Sequence, residues 1–393
     1  MNVLLVEPDY YTRFPPLGLL KLATYHRMKG DNVRLVRGQK QLEIRVDRIY
    51  VTSLFTYAWK PVHEAVKYYK RLYPSTDLWL GGIYASLMPE HAKLSGADHI
   101  YEGLFAEAEN LMPAYDLVPE WDGSIIFSSR GCIRRCGFCA VPKLEGKPNG
   151  LKYSIKHLIY PGHTKVILWD NNILANPNWK AIFDELIELG LKVDFNQGLD
   201  ARLISERSAE KLSQMKLQFV RLAYDTQKVG SSVKRAIELL YQHGIRKKKI
   251  IVYTLFNFED DPEDFFQRVR DILNWGAACY PMRFEPLDSL EKNQHVGPNW
   301  TSQQLDMVQR ARRVLGFSGA FPPYKALVRK FNKANCFNKA FELRPIGSKK
   351  PLLQSISIRI FKHSKRNATK TKIRWTKEKD WRNVITTSRK PNT

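Results

Sequence analysis

Three cysteines lie close together in residues 129–139, whose sequence is SRGCIRRCGFC. Cys132, Cys136 and Cys139 are three of the five cysteines in the chain. Three thiolates cannot all pair in disulfides, and their closeness favours one soft metal centre, either zinc or an iron-sulfur cluster. A structural zinc site needs four protein ligands, and no Cys or His follows Cys139 at zinc-finger spacing. A cubane held by three cysteines would leave one iron open to a substrate or cofactor.

The spacing C-x3-C-x2-C, with an aromatic residue before the last cysteine, resembles the hallmark of the radical S-adenosylmethionine (SAM) superfamily. Cys132, Cys136, Phe138 and Cys139 fit this pattern. The resemblance implies a catalytic 4Fe-4S cluster in which the three cysteines bind three irons and SAM chelates the fourth, with Phe138 along the adenine. It also implies an electron donor such as flavodoxin or ferredoxin, and cleavage of SAM to methionine and a 5'-deoxyadenosyl radical. A redox or zinc knuckle is the alternative.

The elements before the cysteines alternate between strands and helices over residues 1–120. The apolar run NVLLVE at 2–7 predicts a buried parallel strand. Further strands are predicted at 33–36, 49–53, 78–80 and 99–101, with helical patterns between most of them. This alternation predicts a doubly wound, parallel-sheet α/β domain whose ligand crevice lies at the carboxyl ends of the strands.

Three stretches that follow predicted strands resemble the cobalamin-binding domain that precedes the radical domain in many SAM enzymes. They are PPLGLL at 15–20, GG at 81–82 and EGLFAE at 102–107. The third departs from the family's usual Gly-Glu-Gly-Glu, and the cobalt-ligating D-x-H-x-x-G is absent. The resemblance implies a cobalamin-binding-like domain with residues 53–57 and 81–84 along the crevice, where small residues would let a large ring approach. A domain that only covers the barrel or recognises substrate is the alternative to cobalamin binding.

Six βα-like units are predicted within residues 121–300. The strands are expected at 125–127, 165–169, 191–195, 219–224, 250–255 and 282–284. Polar residues follow these strands, as they do at the catalytic face of a TIM-type barrel. The order matches the radical SAM barrel, so the resemblance implies a partial (β/α)6 TIM-type barrel with the cysteines after its first strand.

The polar residues after the strands are the candidates for binding SAM. Asp170, Asn171 and Asn172 follow the second strand, where the family often has a Gly-Gly-Glu motif that meets the amino group of SAM. Hydroxyl groups of SAM suit Asp, and its carboxylate suits Arg. The candidates after the middle strands are Asn196, Gln197, Asp200, Arg202 and Asp225. For each candidate a helix cap or a structural salt bridge is the alternative.

The positive charge of the chain is concentrated at its C-terminal end. The net charge is +24, and the part from Tyr324 onward has 20 Lys and Arg against 3 Asp and Glu. A helical segment that packs on the barrel is predicted at 301–343, and a basic, flexible tail at 344–393. Basic residues interleaved with Trp375 and Trp381 favour binding to an RNA substrate, with a solvated tail as the alternative.

The expected location is the cytoplasm. Clustered thiolates need a reducing compartment, because an oxidising one would attack them before metal loading. The N-terminal sequence MNVLLVEPD lacks the basic region of a signal peptide, and no stretch reaches the roughly 18 apolar residues of a membrane span. No membrane partner is therefore expected.

The residues and the resemblance together predict a radical SAM enzyme that modifies an unidentified substrate. If cobalamin is bound, the expected reaction is methylation of an unactivated carbon, as in a cobalamin-dependent methyltransferase. If it is not, a hydrogen-abstraction rearrangement or a thiolation is expected. The alternatives are a tRNA methylthiotransferase-like activity, although the C-terminal region does not resemble the RNA-binding domain of those enzymes, and a non-enzymatic metal-cluster protein that binds nucleic acid.

Overall fold

The computed structural model describes residues 1–343, so the predicted basic tail lies outside the described residues. The described chain divides into two compact units. The first unit consists of Met1–Leu203, Gln214–Leu217 and Phe284–His295, and the second consists of Ile204–Ser213, Gln218–Arg283 and the residues from Val296. The predicted domains, in contrast, follow the order of elements and charge along the sequence, and their limits stay a prediction.

A five-stranded parallel sheet in the order β2-β1-β3-β4-β5 organises the first 120 residues. Its strands are β1 (Asn2–Glu7), β2 (Asn32–Arg37), β3 (Arg48–Ser53), β4 (Asp77–Gly82) and β5 (His99–Ile100). The helices here are α1 (Leu17–Met28), α2 (Trp59–Leu72), α3 (Ile83–Leu87), α4 (Pro89–Lys93) and α5 (Ala106–Glu109). This is a doubly wound order, as predicted, and it reverses between β1 and β3, where such folds bind ligands.

The central strand β1 is buried on both faces, which explains its continuous apolar sequence. Leu4 and Val6 pack into the core that contains α2, whereas Val3 and Leu5 pack into the core that contains α1. All four side chains are almost completely buried. Each contributes about 1.5–3 kcal/mol through burial of apolar surface.

The first unit also contains a four-stranded parallel sheet in the order β6-β7-β8-β9. Its strands are β6 (Ser124–Ile126), β7 (Lys165–Leu168), β8 (Lys192–Phe195) and β9 (Lys216–Leu217). The helices in this part of the sequence are α6 (Val141–Leu144), α7 (Trp179–Leu189) and α8 (Glu206–Gln214). Strand β6 leads directly into the cysteine segment, as predicted.

The second unit contains a three-stranded parallel sheet in the order β10-β11-β12. Its elements are β10 (Val220–Ala223), α9 (Gly230–Gln242), β11 (Ile250–Phe256), α10 (Pro262–Asn274) and β12 (Ala278–Arg283). The predicted order of strands and helices is thus confirmed, with the two-residue strand β9 as an addition. Strand β12 begins four residues before the predicted 282–284, because ACYPMR lacks the apolar run by which a strand is recognised.

Three further helices follow: α11 (Ser302–Val314), α12 (Lys325–Lys333) and α13 (Phe337–Phe341). Helix α11 starts with a capping box, in which Thr301 Oγ1 accepts from the amide of Gln304 and the Gln304 side chain accepts from the amide of Thr301. Helix α12 ends because Ala334 is extended, so the helical segment predicted at 301–343 consists of three separate helices. Within residues 1–343, no helix has the length and apolar character that crossing a membrane requires.

Candidate iron-sulfur and SAM site

The cysteine loop, residues 130–139, is closed at its base by the return segment, residues 145–149. Arg130 and Asn149 form an antiparallel bridge, with N···O distances of 2.9 and 3.0 Å. The amide of Cys132 donates to the carbonyl oxygen of Gly146 at 3.1 Å. These backbone hydrogen bonds fix the start of the loop next to its first cysteine.

Gly131 is required by the closeness of the return segment. Its φ is +71°, and a Cβ atom at this position would lie 2.2 Å from the carbonyl oxygen of Lys147. A side chain would therefore be strained and would collide with backbone. Only glycine lets the residue before Cys132 pack this tightly.

The three motif cysteines are half-buried at the loop surface. The amide of Arg134 donates to Cys132 Sγ at 3.3 Å, and the amide of Cys139 donates to the carbonyl oxygen of Cys136 at 3.1 Å. Amide donors to sulfur are typical around iron-sulfur clusters and tune their potential. In the part of the chain that the structure describes, no three His, Cys, Asp or Glu side chains are gathered as a ready-made metal site. The thiols suit the cluster in type and accessibility, and their role as ligands stays a prediction.

The other two cysteines differ from the motif. Cys279 is completely buried in β12, with its Sγ atom 3.4 Å from Thr254 Oγ1. Burial raises the pKa of its thiol to about 12, so the thiolate form that would react is strongly disfavoured. Cys336 is half-buried just before α13. Neither residue lies in the cysteine loop.

Asp170, predicted to meet SAM, holds the ends of β6 and β7 together. Its carboxylate accepts from the amides of Ser128 and Ser129, at 3.0 and 2.7 Å, and from Ser129 Oγ at 2.9 Å. Ser128 Oγ donates to it as well. Asp170 is 3% exposed, and burial raises its pKa even though these four hydrogen bonds oppose the shift. The four donors assign this carboxylate a positioning role at the start of the cysteine loop.

Asn172 carries an unsatisfied acceptor. Its Nδ2 donates to Asp200 Oδ2 at 3.2 Å, and the residue is 5% exposed. Its Oδ1 atom is buried, and no residue within 1–343 hydrogen-bonds to it. A buried acceptor without a donor costs about 1–3 kcal/mol, so Asn172 has a physical reason to meet a ligand donor. The neighbouring Asn171 instead donates to Glu145 Oε2 at 2.8 Å.

Asp200 connects the cysteine loop to the segment that follows β8. Arg134 Nε donates to it at 3.0 Å, and Arg202 donates through Nε and Nη2 at 2.7 and 3.1 Å. Burial favours a higher pKa for Asp200, but the hydrogen bonds from Arg202 and Arg134 outweigh burial and lower the pKa. The structure thus brings Asn172, Asp200 and Arg202 together beside a loop arginine.

The remaining candidates are described by other contacts. The backbone amide of Asn196, which follows β8, donates to the carbonyl oxygen of Leu168 at 2.9 Å, and Gln197 is exposed next to it. Asp225 belongs to the second unit, where its Oδ1 accepts from the amide of Leu255 at 3.2 Å. Phe138 is half-buried in the cysteine loop. Their contacts with SAM stay predictions.

Two carboxylates were missed from the sequence. Glu109 and Glu145 both bind Arg130, which precedes the first cysteine by two residues. They lie 21 and 15 positions from Arg130, so no motif connects them with it. An arginine within the cysteine loop is itself the one signal that a carboxylate partner should be sought.

The carboxyl edge of the five-stranded sheet differs from the predicted crevice. Gly82 has a φ of +101°, and a Cβ atom there would lie 2.2 Å from the carbonyl oxygen of Ser53. Its small size is therefore needed for packing against β3. Tyr84 is completely buried, with hydrogen bonds to His63 and His91, and does not line an open crevice.

The same edge nevertheless exposes large apolar side chains, which we call the apolar edge. They follow β1, β3, β4 and β5, respectively: Tyr11, Phe55, Ile83 and Leu104. Phe55 stacks on Tyr57 with ring centroids 5.0 Å apart. Exposed apolar residues grouped at the ligand-binding edge of a doubly wound sheet are typical of an interaction site.

Comparison with known proteins places the fold. No protein-family model matches the chain, and no curated protein matches it. Among solved structures, the chain is similar to the radical SAM methyltransferase TsrM from Kitasatospora setae, solved with tryptophan substrate and the SAM analogue aza-SAM bound. The TM-score is 0.55 at 15% identity, over 80% of this chain and 77% of that one.

A second solved structure that matches is coproporphyrinogen III oxidase (HemN) from Escherichia coli, a radical SAM enzyme. The TM-score is 0.36 at 13% identity, over 53% of this chain and 57% of that one. Of these two matches, the one to TsrM has the extent and score needed to compare folds. It shows that the chain has a fold like that of a radical SAM enzyme, as the sequence predicts.

Proposed function

We propose that this chain is a radical SAM enzyme whose cluster is bound by Cys132, Cys136 and Cys139. The bound 4Fe-4S cluster would supply the electron that cleaves SAM to methionine and a 5'-deoxyadenosyl radical able to abstract hydrogen from a substrate. The observation that carries the proposal is the unsatisfied Asn172 Oδ1, buried after β7 where the fold family meets the amino group of SAM. An amino group is a donor of the kind that this acceptor lacks.

The chain's own residues would bind and orient SAM. Asn172 Oδ1 would accept from the amino group, while Asp200 holds the Asn172 amide so that Oδ1 stays available for the ligand. Arg202, which already pairs with Asp200, has donors suited to the carboxylate of SAM. Phe138 provides an apolar surface for the adenine. We assign Asn196 and Gln197 to the ribose and adenine side, where hydroxyl and amine donors need acceptors, and the predicted role of Asp225 stays a prediction.

Asp170 and Asn171 would act on SAM binding only indirectly, through the residues that they hold in place. Asp170 holds Ser128 and Ser129 and so fixes the start of the cysteine loop. Asn171 holds Glu145 in the return segment. Both residues would keep the loop in shape while the half-buried thiols remain accessible to iron.

We propose further that the apolar edge takes a corrinoid and that the reaction is then a methyl transfer. Exposed Phe55, Ile83 and Leu104 at the carboxyl ends of three strands suit the apolar periphery of a large ring. The likeness in fold to a SAM-dependent methyltransferase supports this choice. Without a corrinoid, hydrogen abstraction from the substrate would be the chemistry that remains.

RNA is the proposed substrate class, and flavodoxin or ferredoxin the class of electron donor. The net charge of +24 favours a polyanionic partner because phosphate contacts release counterions. A reducing compartment such as the cytoplasm would keep the motif thiols reduced. RNA binding should weaken steeply with salt and on removal of residues 345–393.

Anaerobic reconstitution with iron and sulfide, followed by a reductant and SAM, tests the enzyme assignment. We expect the brown absorption of a cluster and formation of 5'-deoxyadenosine. Cys136→Ala should abolish both, whereas Cys336→Ala, a matched half-buried cysteine outside the motif, should leave both unchanged. A cluster without 5'-deoxyadenosine would favour the non-enzymatic nucleic-acid-binding alternative.

The corrinoid assignment is tested separately by the visible absorption of cobalamin retained on the protein after gel filtration. Phe55→Ser should reduce retention, and Met28→Ser, at an exposed position on α1, should not. Retention that is equal in both variants and in the parent would contradict a site at the apolar edge.

A further inference from the structure

The guanidinium group of Arg130 joins two carboxylates at the base of the cysteine loop. Its Nε and Nη2 atoms donate to the two oxygens of Glu109, at 2.7 and 3.0 Å. Its Nη1 atom donates to Glu145 Oε1 at 3.1 Å. The group also stacks on Phe127, with 3.3 Å from its central carbon to the ring centroid. Arg130 is 8% exposed, so this bidentate pair is shielded from water.

Glu145 connects Arg130 to the backbone of the cysteine loop and to the end of β7. Its Oε2 atom accepts from the amide of Gly131 at 2.9 Å and from Asn171 Nδ2 at 2.8 Å. Gly131 directly precedes the first cysteine. A displacement of Arg130 would therefore be felt at the backbone next to Cys132 through Glu145 as well as along the chain.

Glu109 is held from the other side by the doubly wound part of the first unit. It is the last residue of α5, and Lys21 of α1 donates to its carbonyl oxygen at 2.6 Å and lies 3.3 Å from its Oε2. Burial alone would raise the pKa of Glu109, but Arg130 and Lys21 together lower it. Glu109 is thus a charged carboxylate fixed between two cations from different parts of the sequence.

We propose that Glu109 is a positioning residue for the cysteine loop, acting through Arg130 and Glu145. The first 120 residues would then be a structural part of the cluster site in addition to any ligand that they bind. This inference rests on the proposed function for its purpose, because the loop is held in shape to receive the cluster. Loss of Glu109 removes one of the two carboxylates that bind the shielded guanidinium of Arg130. A buried charge that has lost its partner is destabilising, so we expect Arg130 to change its position.

The rate at which iodoacetamide alkylates Cys132, Cys136 and Cys139 in the iron-free full-length chain tests the inference, with peptide mass spectrometry as the readout. Glu109→Gln keeps the shape and removes the charge, and we expect alkylation of Cys132 to accelerate about tenfold, the factor for one weakened hydrogen bond to a charged group. Glu107→Gln, a change at an exposed residue two positions earlier, should leave the rate unchanged. Equal rates for Glu109→Gln and the parent chain would overturn the proposal.

A double-mutant cycle separates positioning through Arg130 from a general loss of stability. In an Arg130→Gln chain, Glu109→Gln should cause no further acceleration, because its route to the loop is already broken. Multiplicative effects of the two changes would contradict the proposed route. Arg130→Lys keeps the positive charge but cannot form the bidentate pair, so it should give an intermediate rate. It also provides a second test in case Arg130→Gln fails to fold.

The cluster potential gives a second readout in the reconstituted protein. Removing the negative charge of Glu109 leaves net positive charge near the cluster, so its midpoint potential should rise in Glu109→Gln and stay constant in Glu107→Gln. An unchanged potential in Glu109→Gln would count against positioning. If the parent chain binds no cluster while alkylation behaves as expected, the proposed function fails and the positioning of the loop by Glu109 stands.

Discussion

Two regions of the first unit lie at carboxyl ends of parallel strands and have opposite chemistry. At the ends of β6 and β7, charged and polar side chains are buried and hydrogen-bonded around the cysteine loop, with Asp170 and Arg130 at its base. At the ends of β3 and β4, apolar side chains such as Phe55 and Ile83 are exposed. In the first region the polar groups are already hydrogen-bonded in a fixed geometry before any ligand binds. In the second region the apolar side chains are exposed and available for contact. Changes in the first region should therefore affect folding as well as activity.

The largest effect is expected at Asp170. Asp170→Ala leaves four donors of Ser128 and Ser129 without their acceptor, and we expect a loss of about 3–5 kcal/mol in the free energy of unfolding. Urea denaturation measures it. Glu90→Ala, which removes an exposed ion pair with Lys93, should change the stability by less than about 1 kcal/mol. Similar losses in the two variants would remove the distinction between a buried framework and the surface.

The two glycines Gly82 and Gly103 separate packing from backbone strain. Both have positive φ, at +101° and +82°, but only Gly82 has atoms of Ser53 within reach of a Cβ atom. We expect Gly103→Ala to cost about 1 kcal/mol and Gly82→Ala about 2–4 kcal/mol in thermal or urea unfolding. Equal costs would mean that Gly82 is not needed for packing against β3. The explanation predicted from the sequence, that a small residue leaves room for a large ring, would then be favoured.

Glu7 gives a pH dependence at the end of β1. Burial raises its pKa to about 7 from 4.5, against the opposing effect of Arg37. The folded state therefore binds a proton more readily than the unfolded chain, and the free energy of unfolding should decrease as the pH rises from about 4.5 to about 7. Glu7→Gln should flatten this part of the profile by about 1–2 kcal/mol, because the titrating group is gone. A profile of unchanged slope would contradict the assignment.

The smallest free-energy change is expected at Asn172. Asn172→Ala should weaken SAM binding about tenfold, since the ligand loses one acceptor for its amino group. Isothermal titration with the reconstituted protein measures this affinity. Asn110→Ala, at an exposed position after α5, should bind SAM like the parent. An Asn172 variant with full affinity would show that the unsatisfied Oδ1 does not face SAM.

The fold could be predicted where burial dictates sequence. Strand β1 was predicted at 2–7 and observed at Asn2–Glu7, since a central parallel strand is apolar on both faces. Strand β12 was predicted too short, because Pro281 interrupts its apolar pattern. Local pattern therefore locates central strands more reliably than those with mixed composition.

Candidate site residues could be proposed from the sequence only where they are neighbours in it. The cysteine motif and the polar residues after β7 are local, so the sequence could propose them. The pairing of Glu109 with Arg130 depends on how α5 approaches the end of β6, and no local pattern encodes that approach. The same limit applies to Asp170, whose type was predicted to meet SAM but whose donors, Ser128 and Ser129, lie about 41 positions earlier.

The electron paramagnetic resonance spectrum of the reduced cluster, recorded before and after SAM is added, tests the central claim most directly. Three cysteine ligands leave one iron open, so SAM should shift the spectrum by binding to that iron, and Cys336→Ala should behave in the same way. A cluster whose spectrum is unaffected by saturating SAM would contradict the claim that Cys132, Cys136 and Cys139 hold a cluster for SAM chemistry.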